Sequence, residues 1–194
     1  MCDRSIYQKI DLGIHISDIY KVLIMSKILD LDVIGIDSSY STNMKPAENI
    51  ILRMDKRQHP FSHYYPYLVV SDNVKTLDGK TDLFLIDPFQ RKDAIKRKIK
   101  RGVGIEVSIA FSKKLDASLV GKWLKEVKSI YEFCKSNNCQ FVLSSGATSV
   151  NELVSARSFE SLLKLIGISP INYWNEISEW LYTKNKARWV HAKS

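Results

Sequence analysis

A run of small residues, Ser144-Ser145-Gly146-Ala147, is the part of the sequence best suited to hold an anion. It follows the apolar residues 141–143 and precedes Ser149, which stands three positions before Glu152 in the pattern of a capping box. Hydroxyls and backbone N–H groups that face a helix N-terminus can bind a phosphate. The alternative is a tight strand-to-helix connection that needs Gly146 for its backbone geometry alone.

A second stretch that could do chemistry is the basic segment 91–101, RKDAIKRKIKR. Its pattern predicts a helix with Ala94, Ile95 and Ile99 facing inward. The basic side chains would form two adjacent rows, which could follow a phosphate backbone: Lys92, Lys96 and Lys100, then Arg97 and Arg101. The alternative is a solvated helix face on which Asp93 forms an ion pair with Arg97.

Polar residues also follow several predicted strands, and parallel strands would bring them to one end of the fold. These residues are Asp37, Arg57, His59, Ser71, Asp72, Asp87, Ser144 and Ser145. His and carboxylate side chains at such an end could bind a divalent metal and activate water. Only four histidines occur, none in an HxH pair, and His59 and His63 are predicted to be surface or packing residues. Glu106 is predicted to satisfy a buried polar network.

Short apolar runs that end in polar residues predict seven strands. They cover residues 10–16, 33–37, 49–54, 67–71, 82–87, 104–109 and 141–144. Ser17 or Asp18 is a candidate cap of a first helix, and a long helix is predicted between Asp116 and Ser136. A helix should start at Ser149 and end before Gly167, and its apolar stripe is interrupted at residues 155–158. Another begins at Ser169-Pro170, and a basic tail with Trp189 follows from about residue 184.

Buried-type strands that alternate with helices predict an α/β fold with a parallel sheet. An eight-stranded α/β barrel takes about 250 residues, so a chain of 194 residues predicts a small, distorted TIM-like barrel with incomplete helices. The whole chain, 1–194, is expected to form this single domain. Its hydrophobic content of 45% argues against disorder, and a formal charge of +8 favours polyanionic partners such as nucleic acid.

The sequence also predicts the cellular compartment of the protein. No apolar run approaches the roughly 20 residues of a membrane span, and the N-terminus lacks a signal-peptide pattern. The three cysteines, Cys2, Cys134 and Cys139, indicate neither a disulfide framework nor a zinc site. We therefore expect a cytoplasmic protein with free thiols and no membrane partner.

Three segments together resemble the protein component 3 family of ribonuclease P, the thirty-kilodalton subunit shared by archaea and eukaryotes. They are AIKRKIKRGVGIEVSIAF at 94–111, FVLSSGA at 141–147 and NELVSARSFESLLKLIGI at 151–168. In that family a basic helix leads into an RGV-x-x-E strand, and an SSGA-like turn, an Arg-centred motif and an L-x-x-x-x-G-I/L helix end follow. The motif Arg-x-Pro-x-Asp of the family is altered here, because Arg157 is followed by Ser158, Phe159, Glu160 and Ser161.

The resemblance implies a distorted barrel related to the polymerase-and-histidinol-phosphatase (PHP) hydrolases, without their metal ligands. It implies a protein subunit of ribonuclease P, in which a catalytic RNA removes the 5′ leader of precursor tRNA with magnesium. The chain itself would be non-catalytic and hold no cofactor. Its partners would be ribonuclease P RNA, precursor tRNA, a ferredoxin-like protein subunit and other ribonuclease P proteins.

On this interpretation the basic residues and the small-residue turn would contact RNA. The candidates are Lys92, Lys96, Arg97, Lys100, Arg101, Ser144, Ser145 and Arg157. The turn and Arg157 could instead serve folding or the partner subunit. Two other functions stay open: a stand-alone metal-dependent phosphoesterase on the same barrel, and an interaction scaffold whose basic face serves solubility.

Overall fold

A computed structural model of the chain describes residues 8–40, 49–55, 66–90 and 92–191. Seven parallel strands follow one another in chain order around a nearly closed barrel, with helices between them. The strands are β1 Ile10–Ile14, β2 Val33–Asp37, β3 Ile50–Asp55, β4 Tyr67–Ser71, β5 Leu83–Leu85, β6 Gly104–Ser108 and β7 Gln140–Ser144. The predicted small, TIM-like α/β barrel is thus confirmed. Predicted positions Arg57, His59, His63 and Arg91 lie outside the described residues.

Two kinds of contact close the seam between β7 and β1. At the carboxyl end, a parallel bridge joins Ile14 to Ala147, and the His15 N–H donates to the Ala147 carbonyl at 2.8 Å. Further down, the buried Tyr173 hydroxyl accepts from the Leu143 N–H at 2.9 Å and donates to the Leu143 carbonyl at 3.3 Å. A tyrosine therefore satisfies backbone groups of β7 that point away from β6.

The helices are α1 Ile19–Ile28, α2 Lys92–Lys96, α3 Ala117–Asn137, α4 Ala156–Leu165 and α5 Pro170–His191. Asp18 caps α1 as predicted, since its carboxylate accepts from the Lys21 N–H at 3.2 Å. Two predicted helices are shorter than expected. The basic segment is helical for only five residues, and the helix expected from Ser149 is a 3₁₀ turn, Val150–Glu152, after which Ser155 caps α4.

Helix α5 lies across the amino ends of three strands. Ser178 Oγ accepts from the Gln8 N–H at 3.0 Å just before β1. Trp180 Nε1 donates to the Gly102 carbonyl at 2.8 Å before β6, and Lys184 Nζ lies 3.5 Å from Asp82 Oδ1 before β5. The barrel is thereby covered at this end by α5. The predicted basic tail from residue 184 continues the same helix to residue 191, and the side chain of Trp189 lies outside what the structure describes.

None of the helices that the structure describes is long and apolar enough to cross a membrane.

Candidate functional site

An ion pair occupies the interior of the barrel. Arg53 of β3 and Glu106 of β6 are 4% and 1% exposed, and two contacts of 2.9 Å join Nη1 to Oε1 and Nη2 to Oε2. Arg53 Nη1 also donates to the Leu12 carbonyl. Burial acts to lower the pKa of Arg53, but the nearby carboxylates of Glu106, Asp37 and Asp11 raise it overall. The predicted buried role of Glu106 is confirmed.

Asp11 lies in the same interior and is fully buried. Its Oδ1 accepts from the N–H groups of Gly13 at 3.1 Å and Ser145 at 3.0 Å, whereas no residue that the structure describes donates a hydrogen bond to Oδ2. Burial raises the pKa of the Asp11 carboxyl. Gly13 leaves the necessary room, because a Cβ there would stand 2.5 Å from Ser144 Oγ and 2.6 Å from Glu106 Oε1.

The small-residue turn closes the barrel. Ser144 and Ser145 are fully buried, so neither lies on a surface that an RNA could contact. Ser145 Oγ accepts from the Ala147 N–H at 3.2 Å, and the Ser145 N–H donates to Asp11 Oδ1. Gly146 has a φ of 66°, and a Cβ there would stand 1.8 Å from Ser108 Oγ. The alternative interpretation of the turn, backbone geometry that requires Gly146, is therefore confirmed.

A cleft opens at the carboxyl ends of the strands. One part has a volume of about 360 Å³ and an adjoining part about 200 Å³, and His15 and Asp72 line both. His15 Nδ1 lies 2.7 Å from Asp37 Oδ2, and both side chains are about one-third exposed. Among the described residues, the ionisable lining is mostly acidic: Asp37, Asp55, Asp72, Asp87 and Glu106, against His15, Arg53 and Lys114. The convergence predicted for Asp37, Ser71, Asp72 and Asp87 is confirmed.

The His15–Asp37 pair is the part of the cleft that could transfer a proton, since a carboxylate on Nδ1 fixes the imidazole and leaves Nε2 for other contacts. Among the described residues, no group of three or more His, Cys, Asp or Glu is arranged to hold a metal ion. Sequence reasoning missed this pair and the Arg53–Glu106 pair. A signal existed in residues 10–16, where Asp11, Gly13 and His15 alternate with four isoleucine or leucine residues in a period of two.

Exposed cations gather on the outside of β4, β5 and β6, on the two connections between these strands. This basic surface consists of Lys75, Lys80, Lys96, Arg97, Lys98, Lys100 and Arg101. The two connections touch: Lys98 Nζ donates to the Lys75 carbonyl at 3.3 Å, and a Cβ on Gly79 would stand 2.5 Å from Lys100 Nζ. In the part of the chain that the structure describes, no carboxylate forms an ion pair with any of them.

The remaining predicted contact residues lie elsewhere. Lys92 is half-buried, and its Nζ contacts Ser129 Oγ at 2.6 Å and Glu126 Oε2 at 3.2 Å, which ties α2 to α3. Arg157 is exposed at the start of α4, where the Ala156 N–H donates to the Leu29 carbonyl at the end of α1 at 3.0 Å. The structure thus brings together Lys96, Arg97, Lys100 and Arg101, but separates Lys92, Ser144, Ser145 and Arg157 from them.

Comparison with known proteins does not indicate whether the cleft or the basic surface is the functional region. No family model matches the chain, and no curated protein matches it. The two places must therefore be weighed by their chemistry. Among the described residues, the cleft is rich in carboxylates, whereas the basic surface presents cations without carboxylate partners.

Proposed function

We propose that this chain is a non-catalytic, RNA-binding protein subunit of ribonuclease P, of the protein component 3 family. It would act in the cytoplasm with the catalytic RNA, a ferredoxin-like protein subunit and other ribonuclease P proteins to remove the 5′ leader of precursor tRNA. Magnesium would be used by the RNA. The observation that supports this proposal is the basic surface, in which two connections place seven exposed cations side by side.

The physical role follows from charge. Folding a large RNA brings phosphates together, and a cationic protein surface offsets their repulsion and releases counterions. Lysines and arginines without carboxylate partners suit this role, because each can neutralise a phosphate at little cost in broken ion pairs. Lys75, Lys80 and Lys98 join the predicted residues Lys96, Arg97, Lys100 and Arg101 in this proposal. Lys92 is excluded from it, because its ammonium group contacts Glu126 and Ser129.

The cleft supports a second candidate, a stand-alone metal-dependent phosphoesterase. It lies at the carboxyl ends of the strands, where barrel enzymes place their active sites, and contains the His15–Asp37 pair. Its carboxylates would repel a phosphate unless a cation stood between them. This candidate therefore predicts cleavage by the protein alone when a divalent metal is supplied.

Reconstitution tests both candidates in one assay. Cleavage of precursor tRNA by the cognate ribonuclease P RNA would be measured with and without this chain and the ferredoxin-like subunit, at moderate magnesium. We expect the protein pair to raise the rate or lower the magnesium requirement, and the protein without RNA to be inactive. Cleavage by the protein with metal alone would establish the phosphoesterase, and no effect in either arm would overturn both functions.

Charge reversal locates the contact. The variant Lys96→Glu/Arg97→Glu/Lys100→Glu alters three cations of the basic surface, and Lys125→Glu/Lys128→Glu/Lys164→Glu is a matched control on exposed positions of α3 and α4. We expect the first variant to reduce the slope of log K against log salt by about 3, from about 0.9 per phosphate contact. Equal salt slopes for the two variants would mean that the basic surface does not contact the RNA.

A further inference from the structure

Helix α1 is apolar on both of its faces. Ile19 and Val22 are buried against the barrel, as expected for a helix that covers β1 and β2. On the opposite side, Tyr20, Ile24 and Ile28 are 83%, 61% and 68% exposed. These three residues are four positions apart, so they form one continuous stripe along the helix. A helix that is hydrophobic all round is usually covered on all sides, but none of the residues that the structure describes covers this side of α1.

Cations border this stripe. Lys21 and Lys27 lie on either side of Ile24, because each is three positions away on the helix. Arg157 is exposed next to the C-terminal end of α1, where α4 begins. The neighbouring acidic side chains are engaged, since Asp18 pairs with Lys21 and Asp30 pairs with Lys9. Among the described residues, Lys27 and Arg157 form no ion pair with a carboxylate.

We propose that the outer face of α1, defined by Tyr20, Ile24 and Ile28, docks a protein partner that presents an apolar surface rimmed by carboxylates. Charge complementarity selects this partner. Buried apolar side chains would form the centre of the interface, and Lys27 and Arg157 would contact acidic groups at its rim. A standard interface covers roughly 800 Å² on each partner, so the contact must extend beyond the three apolar residues onto this basic border.

A second copy of the chain fits this face poorly. An antiparallel pair of α1 helices centred on Ile24 would place Tyr20 of one copy against Ile28 of the other, which is favourable. A second copy would present the same border, however, and its Asp18 and Asp30 carboxylates already pair with Lys21 and Lys9, so it offers none to Lys27 and Arg157. The docking role is independent of RNA binding, because α1 lies on β1 and β2 and the basic surface lies on β4 to β6.

The test uses the full chain and two synthetic helical peptides with identical leucine faces, one flanked by glutamates and the other by lysines. We expect the glutamate-flanked peptide to bind at least about tenfold more tightly in fluorescence anisotropy. Ile24→Lys should weaken that binding at least about tenfold, since it removes the centre of the apolar face. The matched control Leu165→Lys changes an equally exposed apolar residue of α4 and should bind like the wild type.

A charge swap makes the test specific. Lys27→Glu/Arg157→Glu should reverse the preference, so that the lysine-flanked peptide binds more tightly. Equal binding of the two peptides, or an equal loss in Ile24→Lys and Leu165→Lys, would overturn the proposal. Two further measurements would also overturn it: self-association in sedimentation velocity that Ile24→Lys abolishes, and co-sedimentation with phosphatidylserine vesicles that Ile24→Lys abolishes.

Discussion

Arg53 reaches across the barrel from β3 to Glu106 on β6, and the ion pair fills space that aliphatic side chains fill in most small barrels. Burying such a pair adds little net stability, but removing one partner would leave a buried charge at a cost of about 3–5 kcal/mol. Two glycines make the arrangement possible: Gly13 admits Glu106 and Ser144, and Gly35 lets β2 approach Leu12 closely. The barrel interior thus depends on matched polar contacts as well as on side-chain volume.

Asp11 should make stability depend on pH. Burial raises its pKa in the folded state above the ordinary value of 3.8, so its contribution to stability is complete below pH 3.8 and is lost as pH rises through the raised pKa. In Asp11→Asn the amide oxygen can still accept from the N–H groups of Gly13 and Ser145, but the side chain no longer titrates. We therefore expect the free energy of unfolding of the wild type, relative to Asp11→Asn, to fall as pH increases.

Urea unfolding of both proteins from about pH 4 to about pH 8 would measure this difference. Asp18 and Glu152 have lowered pKa values, because hydrogen bonds from Lys21 and from Thr148, respectively, favour their charged forms. Ionisation of Asp18 and Glu152 therefore raises the free energy of unfolding as pH increases, which is opposite to the effect of Asp11. Both residues are present in the wild type and in Asp11→Asn, so their effect cancels in the difference between the two proteins. Parallel curves for the two proteins would show that Asp11 does not titrate in this range.

At the scale of elements, a substitution at Gly146 tests whether the backbone geometry of the turn after β7 is needed to close the barrel. Gly146→Ala should lower the free energy of unfolding by about 3–5 kcal/mol, since it combines a left-handed backbone with a clash against Ser108. Gly102→Ala is a matched control, because its φ is 78° but a Cβ there meets nothing within 4 Å. It should cost only about 1–2 kcal/mol. Equal losses in urea denaturation would mean that Ser108 moves aside freely.

The seven strands could be predicted because each is a short apolar run, which is the expected pattern when one face of a parallel strand lines a barrel interior and the other packs under helices or connections. Their polar ends converge for the same reason, and Asp37, Asp72 and Asp87 therefore meet at the cleft as predicted. The ion pair between Arg53 and Glu106 could not be predicted, since no local pattern links residues on non-adjacent strands.

Two helices were mispredicted for physical reasons that act at long range. The basic segment leaves the helix after Lys96 because the chain must return to β6, and it turns at Gly102 with a φ of 78°. The capping box at Ser149 forms, but only over a 3₁₀ turn. The chain then passes Leu153, which packs with the core under α1, and Val154, which packs with the main core. Ser155 provides a second cap, and α4 begins there.

At the scale of the whole molecule, aromatic side chains link α3, β7, α4 and α5. Trp174 is fully buried and packs edge-on against Phe159 and Tyr173, with ring centroids 6.1 and 4.9 Å away. Trp174→Ala should lower the free energy of unfolding by about 3–5 kcal/mol. Ile171→Ala, on an exposed part of the same helix, should change it by less than about 0.5 kcal/mol. Similar midpoints in urea for both variants would contradict a central role of α5.

Charge is unevenly distributed over the described residues. Carboxylates collect around the cleft at the carboxyl ends of the strands, whereas the basic surface lies on the outside of β4 to β6. These described charges would draw a polyanion toward the basic surface and away from the cleft, and added salt would weaken both effects. The cleft and the basic surface would thus receive different ligands.

The position of α5 also sets an order of events during synthesis. All seven strands precede it in the chain, so the ribosome releases the barrel wall before the helix that covers its amino ends. At about 5–20 residues per second, the interval is on the order of seconds, long compared with the formation of a single helix. Until α5 arrives, the apolar partners of Trp174, Ile177 and Leu181 stay uncovered, and a nascent chain in this state would be a natural client for a chaperone.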